Sequence, residues 1–290
     1  YLIYGGEFTA VGGVAQQGLV RFAKPGTAPN KVGPSVQGGA YQISTQSFRA
    51  GQVRVAWSAN YDPDNAKLTY EVYRRDIAQP VHSTTAESTF WVRPRMTYSD
   101  TNVTAGQTYQ YRVKVTDPNG NSTTSDWTSV TAAAEGTANA YNNAILDAQP
   151  KYYWPLNEAS GSAAIDWIAG NDVNLTAGTT RAQTGQVQNA TSYSTAFNGS
   201  TGTGASSVPE VGPNVFSVEA WFQTTSTAGG KIVGFGNNAT GNSGSYDRHL
   251  YINGTGQVSF GVYPGATRTV TSGEGLNDGA WHHVVGTMNG

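Results

Sequence analysis

From Phe216 to Gly290, apolar and polar residues alternate in five runs, FSVEAWFQT, KIVGFG, HLYING, QVSFGVY and AWHHVVGTM, with Gly, Asn or Asp between them. Successive side chains on a strand point to opposite faces, so a period of two predicts half-buried strands joined by turns. The same period recurs between Gly33 and Glu135 in VRVAWSA, LTYEVYRR, TFWVRP, MTYSDT, TYQYRVKVTD and WTSVTAA. That many short strands over about 100 residues predict a β-sandwich. At the amino terminus, YLIYGGEF and GLVRF flank a Gly-rich turn. A two-stranded hairpin is marginal alone in water, so this piece is expected to come from a larger sheet. Lys24–Gly39, rich in Pro and Gly, reads as a linker, and AAAEGTANA as a second one. YNNAILDAQP then predicts one short helix ending at Pro150, and KYYWPLNE a return to strand. The first run opens without a leader and the last breaks off inside a strand, so both termini are expected to be cut ends of a longer protein.

Composition supports an all-β fold. The chain has 290 residues, enough for two domains with their own cores. Its 36 glycines and 11% aromatic residues suit short strands and tight turns, and charged residues are sparse at 12%. A net charge of -2 without any basic cluster gives no footprint for nucleic acid. From Tyr141 onward five Lys/Arg face nine Asp/Glu, a balance that favours cations over anions. The absence of cysteine removes disulfides and thiolate metal sites. No apolar run approaches the roughly 20 residues of a membrane helix, so no membrane insertion is expected.

Three stretches resemble known modules. GGEFTAVGG followed by LVRF is similar to a single repeat of bacterial β-propellers. Trp57 in VRVAW, Tyr70 and Tyr73 in LTYEVYR, and the TYQYRVKVTDPNGNST stretch resemble a fibronectin type III domain. The resemblance implies that Trp57 is the core Trp of the second strand and Tyr109 the corner tyrosine whose hydroxyl bonds back to the backbone. From Tyr141, the blocks AILDAQPKYYWPLNEASGSAAIDWIAGNDVNLTAG, TAFNGS, FSVEAWFQT and DGAWHHVVGT resemble the laminin-G-like, concanavalin-A-like jelly roll of secreted bacterial proteins. That family continues past the WHHV strand, so the jelly roll is expected to lack closing strands here. The reading is a propeller-like remnant over 1–23, a linker over 24–39, a fibronectin-like sandwich over 40–135 and a truncated jelly roll over 136–290.

Candidate chemistry is concentrated in the last segment. The loop AIDWIAGNDVN places Asp166, Asn171 and Asp172 within seven residues, an oxygen-rich set of the kind calcium takes. Jelly-roll loops near this position commonly bind calcium, which is what the resemblance implies for these three residues; the bland alternative is turn hydrogen bonding. The DPDNAK turn resembles the opening of an EF-hand loop, yet Lys67 stands where Gly is needed and Tyr73 where the bidentate Glu belongs. It reads as a polar turn. Tyr246, Asp247, Arg248 and His249 gather where a loop meets a strand, and Trp167 sits in a Gly-flanked loop. These five are the candidate ligand residues, with the aromatic rings stacking on sugar and the polar groups bonding its hydroxyls. His282 and His283, adjacent on a strand, point to opposite faces and cannot chelate one ion. Glycoside hydrolysis needs two flanking carboxyl groups, and the strand comparable to that of the jelly-roll glycosidases offers only Glu219, with Ser217 and Trp221 on its face.

The sequence therefore points to a non-catalytic recognition segment of a secreted or cell-surface modular protein. Its expected partner is a glycan or an extracellular protein, with calcium organising a loop. Two alternatives remain: targeting modules of a polysaccharide-active enzyme whose catalytic domain lies outside this chain, and a structural stalk.

Overall fold

A computed structural model describes residues 2–22, 32–186 and 192–289. The linker residues 24–31 and Gly290, where the last strand was expected to break off, lie outside them. The described residues are nearly all β, with one short helix. They divide into two compact units: residues 1–151 with 167–170, and residues 152–166 with 171–290.

The first unit opens with β1 (Leu2–Gly6), β2 (Ala10–Val11), β3 (Val14–Ala15) and β4 (Gly18–Phe22). β1 pairs antiparallel with β4 and β2 with β3, and the apolar residues Leu2, Ile3, Tyr4 and Leu19 stay exposed. Then follow β5 (Ile43–Gln46), β6 (Val53–Ser58), β7 (Lys67–Arg74), β8 (His82–Glu87), β9 (Arg95–Asp100), β10 (Thr108–Thr116), β11 (Ser122–Thr124) and β12 (Thr128–Thr131). One sheet runs β5-β6-β9 and the other β11-β10-β7-β8, with β12 also pairing β10. Alternation decides what faces inward. Val53, Val55 and Trp57 from the first sheet meet Leu68, Tyr70, Val72, Tyr111, Val113 and Val115 from the second in one buried cluster. Each such side chain removed from water contributes about 1.5–3 kcal/mol. The Tyr109 hydroxyl accepts a hydrogen bond from the Thr104 N–H at 2.8 Å, tying its strand to the preceding turn. Deeper in, Asp100 Oδ2 accepts from both Arg74 Nη1 and the Tyr111 hydroxyl at 2.9 Å, so the buried charge is paired.

Two expectations for this unit change, and a third is met. TFWVRP is not a strand: Thr89 and Val92 close a tight turn by Thr89 N–H to Val92 O and Val92 N–H to Thr89 Oγ1, leaving Phe90, Trp91 and Val92 exposed. The strand there is β8, HSTTAE, an edge strand whose polar residues gave no hydrophobic signal. Residues 33–39, read as linker, are held against the sandwich. Asn60 clamps Val36 through both its N–H (3.0 Å) and its carbonyl (2.7 Å), and Gly38 bridges Ser125. The expected helix is α1 (Ala140–Asp147), capped by Asn139 Oδ1 accepting from the Asn142 N–H.

The second unit contains β13 (Ala163–Ala164), β14 (Val173–Leu175), β15 (Thr179–Thr184), β16 (Tyr193–Phe197), β17 (Gly204–Ser206), β18 (Val215–Gln223), β19 (Gly230–Gly236), β20 (Tyr246–Ile252), β21 (Val258–Val262), β22 (Arg268–Thr271) and β23 (Trp281–Asn289). The sheets are β13-β14-β17, β15-β16, β18-β23 and β19-β20-β21-β22. The five runs read from Phe216 onward are all strands, and RTVT adds β22, exposed throughout. KYYWPLNE has no strand assigned; Leu156 sits in the left-handed region at φ 57°, which breaks a ladder. β18 and β23 pair over nine positions, from Val215↔Asn289 to Gln223↔Trp281. Their inner faces, Val218, Phe222 and Val284, pack on Leu250, Ile252 and Val258 of the four-stranded sheet.

Candidate functional site

The loop-to-strand cluster is built on an irregularity in the β19–β20 ladder. Between the pairs Val233↔Leu250 and Phe235↔Asp247, β20 carries one residue more than β19, and Arg248 takes φ 50° there. Such a backbone persists only where its surroundings hold it. Here Arg248 Nε donates to Pro213 O at 2.7 Å, Nη2 to Asn214 Oδ1 at 2.8 Å, and Nη1 to Asp247 Oδ2. Asp247 Oδ1 accepts from its neighbour's N–H and from the Tyr263 N–H, both at 2.7 Å. His249 Nε2 lies 2.9 Å from Phe235 O, and burial pushes its pKa below the ordinary 6.5. The neutral ring therefore donates to that carbonyl. Tyr246 stacks on the His249 ring, centroids 5.0 Å apart, and is 67% exposed; Tyr263, tied to Asp247 through its amide, is 60% exposed. Asp247, Arg248 and His249 thus act as a frame, and the surface they frame is aromatic.

Trp167 is placed elsewhere. It belongs to the first compact unit, where its ring stacks on Phe48 at 4.6 Å with an 8° interplanar angle. The five candidate ligand residues are therefore not one cluster within a unit.

The outer face of the β18–β23 pair offers a second surface. Period-two alternation puts Ser217, Glu219 and Trp221 on one side of β18, and His283, Val285 and Thr287 opposite them on β23. Trp221 is 41% exposed and stacks on His283 at 4.8 Å, while His283 Nε2 lies 3.7 Å from Glu219 Oε2. Ser217 and Thr287 hydroxyls are 3.0 Å apart beside them. The sequence placed Ser217, Glu219 and Trp221 on one face; their pairing with His283 is a matter of register, which only the ladder reveals. His282, on the inner side, bonds Asp278 Oδ1 at 2.9 Å and packs against Phe222, so the two histidines do point apart.

A nine-pair ladder laid face to face on a four-stranded antiparallel sheet is the arrangement of a β-sandwich half. Residues 198–290 match the concanavalin A-like lectin/glucanases superfamily. They form a domain of that type. Over 99 residues the chain is also 35% identical to Exoglucanase B of Cellulomonas fimi, a stretch covering 34% of this chain and 8% of that protein. The chain thus spans a small part of the relative's length.

The residues of the second unit bear on two chemical uses, catalysis and metal binding. On the outer face of β18–β23 Glu219 is the only carboxylate, with an imidazole rather than a second acid as its neighbour. Among the described residues no group of three or more His, Cys, Asp or Glu gathers for a metal. In the loop expected to take calcium, the oxygens face backbone donors. Asp166 is fully buried, Oδ1 accepting from the Tyr153 N–H and Oδ2 from the Asn171 N–H, each at 3.0 Å. Asp172 Oδ1 accepts from the Asp166 N–H at 2.9 Å. Asn171 Oδ1 accepts from the Val208 N–H at 2.8 Å and the Ser207 hydroxyl at 3.2 Å, and its Nδ2 donates to Val208 O at 3.0 Å. The three residues fit a hydrogen-bonded anchor better than a cation cage, since each oxygen described answers a different donor. Nearby, Tyr152 and Trp154 stack on the same side at 5.2 Å; the Tyr152 hydroxyl donates to Glu210 at 2.5 Å, and burial with that carboxylate pushes its pKa up to about 12.

Proposed function

We propose that the concanavalin A-like domain is a non-catalytic glycan-binding module and that its ligand lies along the outer face of β18 and β23. One observation carries this reading: Trp221, backed by His283, presents an exposed indole beside Glu219, Ser217 and Thr287 on a rigid ladder. A flat aromatic face covers the apolar face of a sugar ring, and neighbouring polar groups take its hydroxyls. Tyr246 and Tyr263 supply a further aromatic surface in the same domain. Similarity to an exoglucanase makes β-glucans the first ligands to try. It equally supports a targeting role, with these modules holding a polysaccharide for a catalytic domain outside this chain.

The first unit reads as a fibronectin-type spacer, supported by buried Trp57 and the Tyr109 corner bond, and the opening hairpin as a propeller-type repeat. The exposed Phe90–Trp91–Val92 turn favours a protein contact for that spacer. Such a protein would work outside the cell; among the described residues no helix is long and apolar enough to cross a membrane.

The test is affinity electrophoresis of the chain in gels containing soluble β-glucans, with a broader glycan array if these fail to retard it. Trp221→Ala is expected to weaken retardation at least tenfold, a loss of about 1.4 kcal/mol. Unchanged retardation of that variant would remove the β18–β23 face from the reading.

A further inference from the structure

The turn between β6 and β7 buries a pair of carboxyl groups that no cation among the described residues is ion-paired with. Asp62 is 8% exposed, and its side chain faces that of Asp64 two residues on. Asp62 Oδ2 and Asp64 Oδ1 are both shut off from solvent, and neither has a hydrogen-bond donor. Asp62 Oδ1 is occupied by the Asp64 N–H at 3.0 Å. Among the described residues, no Lys, Arg or His forms an ion pair with either carboxylate.

The turn has little room to swing these groups into water. Asn60, fully buried, is fixed by Val36 on both sides of its amide, and its own carbonyl accepts from the Tyr70 hydroxyl at 3.3 Å and the Ser88 hydroxyl at 2.5 Å. Ala59 N–H bonds Pro94 O at 2.8 Å, and Ser88 N–H bonds Ala66 O at 2.9 Å, so both ends of the turn are pinned. Arg21 Nη1, from β4, donates to the carbonyl of Pro63 between the two acids, at 2.7 Å. An isolated buried carboxylate is costly, and two facing acceptors without a donor cost more, unless a positive charge sits between them.

From this geometry we infer that Asp62 and Asp64 hold a hard divalent cation of the calcium class, through Asp62 Oδ2 and Asp64 Oδ1, with water completing its shell. An all-oxygen, doubly negative donor pair suits calcium, which accepts irregular coordination and retained waters. Asp64 as a residue is only partly buried, so the pair lies close beneath the surface. The arrangement is not an EF-hand, since Lys67 follows where that loop needs Gly. With two protein carboxylates, affinity belongs in the range of extracellular modules, on the order of 0.1–1 mM.

The experiment uses the whole chain, stripped with EDTA and titrated with calcium chloride to 10 mM at pH 8. It is read by thermal unfolding and by terbium luminescence sensitised through nearby tyrosines. Calcium is expected to raise the melting transition by about 4 °C or more, and terbium emission to appear and be displaced by calcium. Asp62→Asn and Asp64→Asn should each abolish both responses, while Asp166→Asn keeps them. Asp64→Asn, at the less buried position, guards against a variant that simply fails to fold, with far-UV circular dichroism as the check. Absence of any response in the parent chain would overturn the inference, leaving a pair that shares a proton only. A response that survives Asp64→Asn would also overturn it by placing the cation elsewhere.

Discussion

Asp166 and Asp62 are both acids in polar turns, and their surroundings give them opposite chemistry. Asp166 has its two oxygens occupied by N–H groups from Tyr153 and Asn171, so it stitches a loop to the segment before it. Hydrogen bonds to a charged group contribute about 1.5–3 kcal/mol each, and removing the acceptor leaves two buried amides unsatisfied. Asp166→Ala is therefore expected to destabilise the second unit by about 3 kcal/mol in urea unfolding, by the same amount in EDTA and in calcium. A loss that appears only with calcium present would restore the cation reading of this loop. Asp62, by contrast, has one oxygen with no donor at all. Lys67, five residues on, speaks in the sequence against an EF-hand, but whether two side chains two residues apart face each other depends on the turn's backbone, which composition does not encode.

At the scale of elements, the period of two located most strands because those strands have one wet and one dry face. β7 and β10 show this directly, with Tyr70, Val72, Val113 and Val115 inward and Thr, Glu, Arg and Lys between them. It failed where an element turns only small or polar residues inward, as β8 does, or has no dry face, as in β22. β8 and β22 lie at sheet edges and carry Thr, Ser and Arg, so no hydrophobic signal marks them. TFWVRP failed in the other direction, as three large apolar residues sit on an exposed turn. Packing between layers adds a constraint of its own. Gly286 in β23 is buried, and a Cβ there would lie 2.6 Å from Phe260 Cδ2. Gly286→Val is expected to cost about 1–3 kcal/mol through overpacking, measured as a lower urea midpoint. Wild-type stability in that variant would mean that Phe260 repacks freely and the two layers are looser than their contacts indicate.

For the whole molecule, each unit has its own buried cluster, one around Trp57 and Tyr70, the other around Leu250 and Val258. A glycan module without paired acids is expected to bind without cutting. Prolonged incubation of the chain with β-glucans should release no reducing ends, and release abolished by Glu219→Gln would instead establish an enzyme. Alternation, turn residues and composition by themselves determined an all-β chain, the positions of its main strands and the shared face of Ser217, Glu219 and Trp221, because these follow from local periodicity. Tertiary structure alone decided which strands pair, that His283 backs Trp221, that Trp167 stacks on Phe48 in the other unit, and that Asp166 is saturated while Asp62 is not. Register, stacking and the satisfaction of buried polar groups depend on residues far apart in the chain, and no local pattern carries that information.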